Sequence, residues 1–164
     1  ESVFKGRMSQ AQVDGLEKLL TVWESEHHAR PASWLAYALA TAYHETAHTM
    51  EPIREYGRGK GKEYGRQING HAYYGRGYVQ LTWRANYLLA GKKLGVDFVA
   101  DPDLVMRPDY AARILYQGMI EGWFTGKGLG AFKTFRDMRR VINGMDRADL
   151  IAGYADSFLA ALAA

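Results

Sequence analysis

The chain has 164 residues, long enough for one domain with its own core, and its 48% hydrophobic and 13% aromatic content excludes a disordered chain. It has no cysteine, which excludes disulfides and thiolate chemistry, and no apolar run approaches the roughly 18 residues of a transmembrane helix. The formal net charge of +3 is a mild basic excess that suits a polyanionic partner, such as an acidic wall polymer, nucleic acid or anionic lipid.

Ser9 opens Ser-Gln-Ala-Gln, a capping-box pattern, and Val13, Leu16, Leu20 and Trp23 follow at helical spacing, so residues 9–26 read as an amphipathic helix. Pro31 suits a first helical turn. Trp34, Leu35, Ala38, Leu39, Ala42 and Tyr43 then mark a largely buried helix that carries His44 and Glu45. Pro52 disfavours helix in the residue before it, which predicts a helix end near Thr49–Glu51.

Residues 53–78 change character, with seven glycines, five tyrosines and six Lys/Arg and no helical period. So long an irregular segment inside a domain points to function, and its tyrosines argue against a plain linker. A short extended segment or hairpin fits residues 73–81; no strand pair is otherwise evident. Helical patterning resumes over 83–94 and stops at Gly95. Asp101-Pro102 reads as a turn, residues 108–124 as a helix, and 126–130 as a break. Phe135, Met138 and Ile142 predict a short helix ending at Asn143-Gly144. Asp146 is placed as the cap of a last helix whose Leu150, Tyr154, Phe158 and Leu162 recur every four residues. The chain reads as one mainly α domain over 1–164 with a long irregular active-site loop. It begins at Glu1, which leaves room for an upstream wall-binding segment.

Two chemistries compete for His44-Glu45-Thr46-Ala47-His48. On a helix, His-Glu-x-x-His sets two imidazoles on one face for zinc, with the glutamate as base of a wall peptidase. A third histidine ligand is excluded, because Glu51 and Arg54 hold the positions that would need Gly and His, leaving Glu63 and Glu121 as ligand candidates. Alternatively, Glu45 follows an apolar run, where desolvation favours the protonated carboxyl that a glycosidase needs as its acid. Glu55 and Glu63, in the loop beyond, would be the solvated partner. Tyrosines and Trp83 supply flat faces beside hydroxyls, as sugar grooves require.

The ordered series His44-Glu45-Thr46-Ala47, Pro52, Glu55-Tyr56-Gly57, Tyr74-Gly75-Arg76-Gly77-Tyr78-Val79-Gln80-Leu81-Thr82-Trp83, Asn86-Tyr87 and Ile142-Asn143-Gly144 resembles glycoside hydrolase family 19, which holds plant-type chitinases and a branch of phage endolysins. The resemblance runs from about residue 34 to 152. The stretch from Met50 to Gly57, the short length and the missing cysteines resemble the phage and prophage lysozyme branch most. The resemblance implies a lysozyme-like helical fold and an inverting mechanism without metal or cofactor. It assigns Glu45 as general acid, Glu55 as base with Glu63 as its rival, and Thr82 as a holder of the attacking water. It assigns Gln80, Asn86 and Asn143 to sugar hydrogen bonds and Tyr74 and Tyr87 to the groove. Arg76 and its flanking glycines fix the loop.

The expected activity is cleavage of the β-1,4 link between N-acetylmuramic acid and N-acetylglucosamine in peptidoglycan; chitin and zinc-dependent peptide cleavage are the alternatives. The expected protein is a monomer in the host bacterial cytoplasm that reaches the wall after release. The last helix carries Asp149 and Asp156 beside Arg147, so membrane insertion is not expected. No nucleic-acid module accompanies the basic loop, so nucleic acid is not an expected partner.

Overall fold

The computed structural model describes residues 3–164. Among them the order is α1 (Gln10–Glu26), α2 (Ala32–Glu45), β1 (Ile53–Arg54), β2 (Arg76–Gly77), α3 (Arg84–Leu94), α4 (Pro108–Glu121), α5 (Phe135–Met138) and α6 (Ala148–Leu162), with single 3-10 turns between several of them. No helix of these residues is long and apolar enough to cross a membrane.

The hub is α2. Every residue from Leu35 to Tyr43 is buried, and alanines at 36, 38, 40 and 42 let neighbours approach from several sides. Its main partner is α6, while α1 packs on α4. Phe158 of α6 meets Phe4 edge-on at 5.9 Å, and Tyr43 packs edge-on against Tyr154 at 4.9 Å. The last helix is thus a core element. α1 begins as its sequence predicts: Ser9 Oγ accepts from the Gln12 amide at 3.1 Å, and the Ser9 amide donates to Gln12 Oε1 at 2.9 Å.

α2 stops at Glu45, about one turn before the predicted end. Thr46 turns its hydroxyl back to donate to Ala42 O at 2.7 Å and accepts from the Met50 amide at 3.1 Å. Ala47 and His48 then take φ of 51° and 71°. The side chain of Thr46 supplies the bonds that another helical turn would have made. α4 likewise ends at Glu121, because Gly122 takes the left-handed cap at φ 77°. Asp146 does not cap α6 with its side chain. Arg147 occupies the cap at φ 60°, and the Asp146 carbonyl instead accepts from Arg139 Nε at 2.8 Å.

The irregular segment is ordered by its own backbone. β1 and β2 pair antiparallel, with Ile53 opposite Gly77 and Arg54 opposite Arg76, a pair not evident in the sequence because each strand is two residues long. A tight hairpin follows, Arg76 and Leu81 exchanging both backbone bonds at 3.1 and 2.9 Å. Behind it Arg76 is buried. It donates to Asp103 at 3.1 Å, to Ala72 O at 3.0 Å and to the Tyr87 hydroxyl at 3.0 Å, and it lies 3.8 Å over the Tyr74 ring. This buried cation ties the hairpin to α3 and to the turn before α4.

Candidate active site

Glu45 occupies the last position of α2, where the buried helix meets a cleft of about 260 Å³. Gln80, Thr82, Asn86 and Asn143 line the same cleft, with Val79, Leu81, Phe124 and Ile142 as its apolar walls. Thus residues from α2, the hairpin, α3 and the turn after α5 converge on one place. The Glu45 side chain is 22% exposed, and its Oε1 lies 3.5 Å from Nη1 of Arg139, whose own side chain is 5% exposed.

The polar groups are partly committed. Thr82 Oγ1 donates to Gln80 O at 2.8 Å, which leaves its lone pairs to accept. Asn86 Nδ2 donates to Thr82 O at 2.8 Å, which leaves its Oδ1 to accept. Asn143 Oδ1 accepts from the Gly144 amide at 2.8 Å, which leaves its amide hydrogens to donate. Gln80 differs. Its Nε2 donates to Ile53 O at 3.1 Å and to Gly77 O at 3.2 Å, so it braces the hairpin against β1 and is only partly free for a ligand. A Cβ on Gly75 would sit 2.8 Å from Gln80 Oε1, so glycine there makes room for the brace.

Glu55 does not line this cleft; it stands beside it. Its amide donates to Gly75 O at 2.8 Å next to the strand pair. Its Oε1 accepts from the Tyr64 hydroxyl, and its Oε2 is buried without a partner among the described residues. The bond to Glu55, with burial as a smaller cause, holds the Tyr64 phenol above its usual range and so keeps it a donor. The Tyr64 ring meets Trp83 edge-on at 5.4 Å, and Trp83 adjoins Thr82. Glu63 is exposed at the start of a 3-10 turn.

Tyr74 and Tyr87 are not in the cleft. They lie buried around Arg76, and burial raises the Tyr87 phenol to about 12. The zinc geometry is also missing. With α2 ending at Glu45, His44 and His48 share no helix face; His48 stacks flat on Tyr43 with centroids 4.1 Å apart. Among the described residues no three His, Asp or Glu side chains converge as a metal would need. Burial holds His44 below its ordinary value, with the nearby Glu45 opposing.

Two residues escaped the sequence reading. Arg139 completes the 135, 138, 139, 142 spacing of an inward helical stripe, a signal overlooked because the residue is charged. Tyr37 stands two turns before Glu45 on the same helix face. Its hydroxyl is buried without a partner among the described residues, and burial raises it well beyond the ordinary tyrosine range despite the opposing Arg139 charge.

Comparison with known proteins places this architecture. The glycoside hydrolase 19 family model, described as chitinase class I, matches residues 30–129. The chain is 37% identical over 101 residues to an acidic endochitinase of Petunia hybrida, covering 61% of this chain and 38% of that protein. It is 42% identical over 59 residues to basic endochitinase B of Arabidopsis thaliana, covering 36% and 17%. The match thus spans well under half the length of these relatives. In fold it is similar to chitinase C of Streptomyces griseus HUT6037, with a TM-score of 0.66 at 23% identity over 94% of this chain and 72% of that one. It is also similar to a class IV chitinase from Zea mays, with a TM-score of 0.64 at 19% identity over 96% and 87%.

Proposed function

The chain belongs to glycoside hydrolase family 19, with its lysozyme-like helical fold, and from that premise we propose that it cleaves β-1,4 links of bacterial peptidoglycan by inversion, as a phage or prophage endolysin does. The observation that carries the reading is a single carboxyl, Glu45, at the end of a buried helix, in a cleft whose other polar groups are uncharged donors and acceptors. Such a set suits a sugar with hydroxyl and acetamido groups.

In this reading Glu45 gives its proton to the glycosidic oxygen as the C1–O bond breaks. A water attacks C1 from the opposite face and loses a proton to Glu55, and the anomeric centre inverts. Glu55 suits the base role better than Glu63. One of its oxygens is fixed by Tyr64 and the other has no partner among the described residues, whereas Glu63 is simply exposed. The acceptor lone pairs of Thr82 suit a water that must be held as it attacks. Trp83 and the fully exposed Tyr56 offer flat faces to neighbouring sugars.

The test is digestion of purified sacculi and, in parallel, of chitin oligomers, with and without EDTA, reading new reducing ends, new amino groups and product anomer. Reducing ends of inverted configuration that ignore EDTA are expected from sacculi. New amino groups that vanish with EDTA would overturn the reading. Chitin is the second reading, favoured by the endochitinase name of the petunia relative, and turnover of the oligomers with intact sacculi would establish it.

A further inference from the structure

The chain holds 21 Lys/Arg and 18 Asp/Glu. Residues 58–66 alone contain four of the cations, Arg58, Lys60, Lys62 and Arg66, and one acid, Glu63. The rest of the molecule is therefore neutral, 17 against 17, and its entire net positive charge resides in nine residues. All four cationic side chains are exposed, and among the described residues none forms an ion pair or a side-chain hydrogen bond.

This segment is built rather than loose. Successive turns are closed by bonds from Arg58 to Glu55 O, Lys60 to Gly57 O, Lys62 to Gly59 O and Arg66 to Glu63 O, at 2.9–3.1 Å. The chain crosses itself at two glycines. A Cβ on Gly65 would lie 1.9 Å from Gly59 O, and one on Gly59 would lie 2.8 Å from Gly65 Cα. The crossing holds the four cations, with Glu63 as the one acid among them, around an open hollow of about 600 Å³. The segment is linked to the cleft through Tyr64, which bonds Glu55 and packs on Trp83, the chain neighbour of the cleft's Thr82.

We infer that Arg58, Lys60, Lys62 and Arg66 form a binding site for carboxylates carried by the glycan that lies in the cleft. This rests on the peptidoglycan reading above. A polymer with lactyl and peptide carboxylates meets the hollow with opposite charge, whereas chitin brings no charge to it. Placing these cations beside a cleft whose one ionisable liner is Glu45 separates the two jobs: the cleft reads the sugar and the loop reads its acidic substituents.

Co-sedimentation tests this without requiring turnover. The full chain and an R58Q/K60Q/K62Q/R66Q variant are titrated onto purified sacculi at low and high salt, and onto insoluble chitin. The variant should bind sacculi about tenfold more weakly at low salt and lose its salt dependence, as surface charge pairs would. Its affinity for chitin should not follow. An R58K/R66K variant, which keeps the charge, should bind like the parent. Carbodiimide amidation of the sacculus carboxylates should abolish the difference between parent and variant, and hydrofluoric acid removal of wall phosphates should not. Equal binding of parent and variant, an equal loss on chitin, or loss with the phosphates would each overturn the assignment. So would displacement by duplex DNA at lower charge concentration than by soluble stem peptide. Sacculi that bind through the loop but yield no reducing ends would refute the glycosidase reading and leave the loop assignment standing.

Discussion

Glu45 is held from a distant part of the chain. Arg139, 94 positions later in the chain, spends Nε on the Asp146 carbonyl and brings Nη1 to within 3.5 Å of the carboxyl. On the proposed role of Glu45 as the acid, Glu45→Gln, which keeps the side chain's shape, should lower turnover of sacculi at least ~100-fold with unchanged circular dichroism. Removing the guanidinium, with Arg139→Met, should cost about 2 kcal/mol of stability in urea titrations, because the Asp146 carbonyl and the partly buried Glu45 carboxyl lose a shared partner. For the base, Glu55→Gln should reduce turnover far more than Glu63→Gln, and the reverse order would move the role. Family resemblance named Glu45, Gln80, Thr82, Asn86 and Asn143, and these five do share a cleft. It did not foretell that Gln80 spends its amide on backbone carbonyls, or that Tyr74 and Tyr87 clasp Arg76, because a motif records which residues recur and not which way they face.

At the scale of elements, helices with a clear apolar period and a strong cap were legible in the sequence. α1 has both, and Gly95 closes α3 at φ 70° as a glycine stop should. The failures have a common cause. Thr46, Asp146 and Gly122 act through side-chain-to-backbone bonds or left-handed backbone, which apolar spacing does not register. The pairing of β1 with β2 spans more than twenty residues and involves only two on each side, too few for an alternation to show. Ser9→Ala should destabilise the protein by about 1 kcal/mol, read from thermal unfolding. Gly15→Ala should cost more than about 2 kcal/mol. A Cβ there would sit 2.0 Å from Met50 O, so α1 would be forced off the segment that follows Glu45.

Over the whole molecule, acid should weaken the fold through histidine. His27 lies between Trp23 and Tyr116 at ring distances of 5.5 and 5.8 Å, with Nε2 buried and unpartnered among the described residues. Burial, aided by the Arg30 charge and opposed by Glu26 and Glu121, holds it below its ordinary 6.5. Above that pH both folded and unfolded chains carry it neutral, and it adds no slope. Below it the unfolded chain binds the proton first, so stability falls as pH drops until the folded imidazole also titrates. Melting temperatures measured from about pH 7 to 5 should fall, and His27→Phe should flatten part of that slope.

The glycine crossing has a consequence of another kind. Gly59 and Gly65 close the neck of a pendant whose tip, Gly61, is exposed with no neighbour within 4 Å of an added Cβ. Whatever is spliced into that tip hangs outside the neck, while Glu55 and Trp83 lie outside the pendant and Tyr64, just inside the neck, is tied to both. The tip is therefore a place where charge or length can be rewritten while the strand pair and the hairpin below the neck stay as they are.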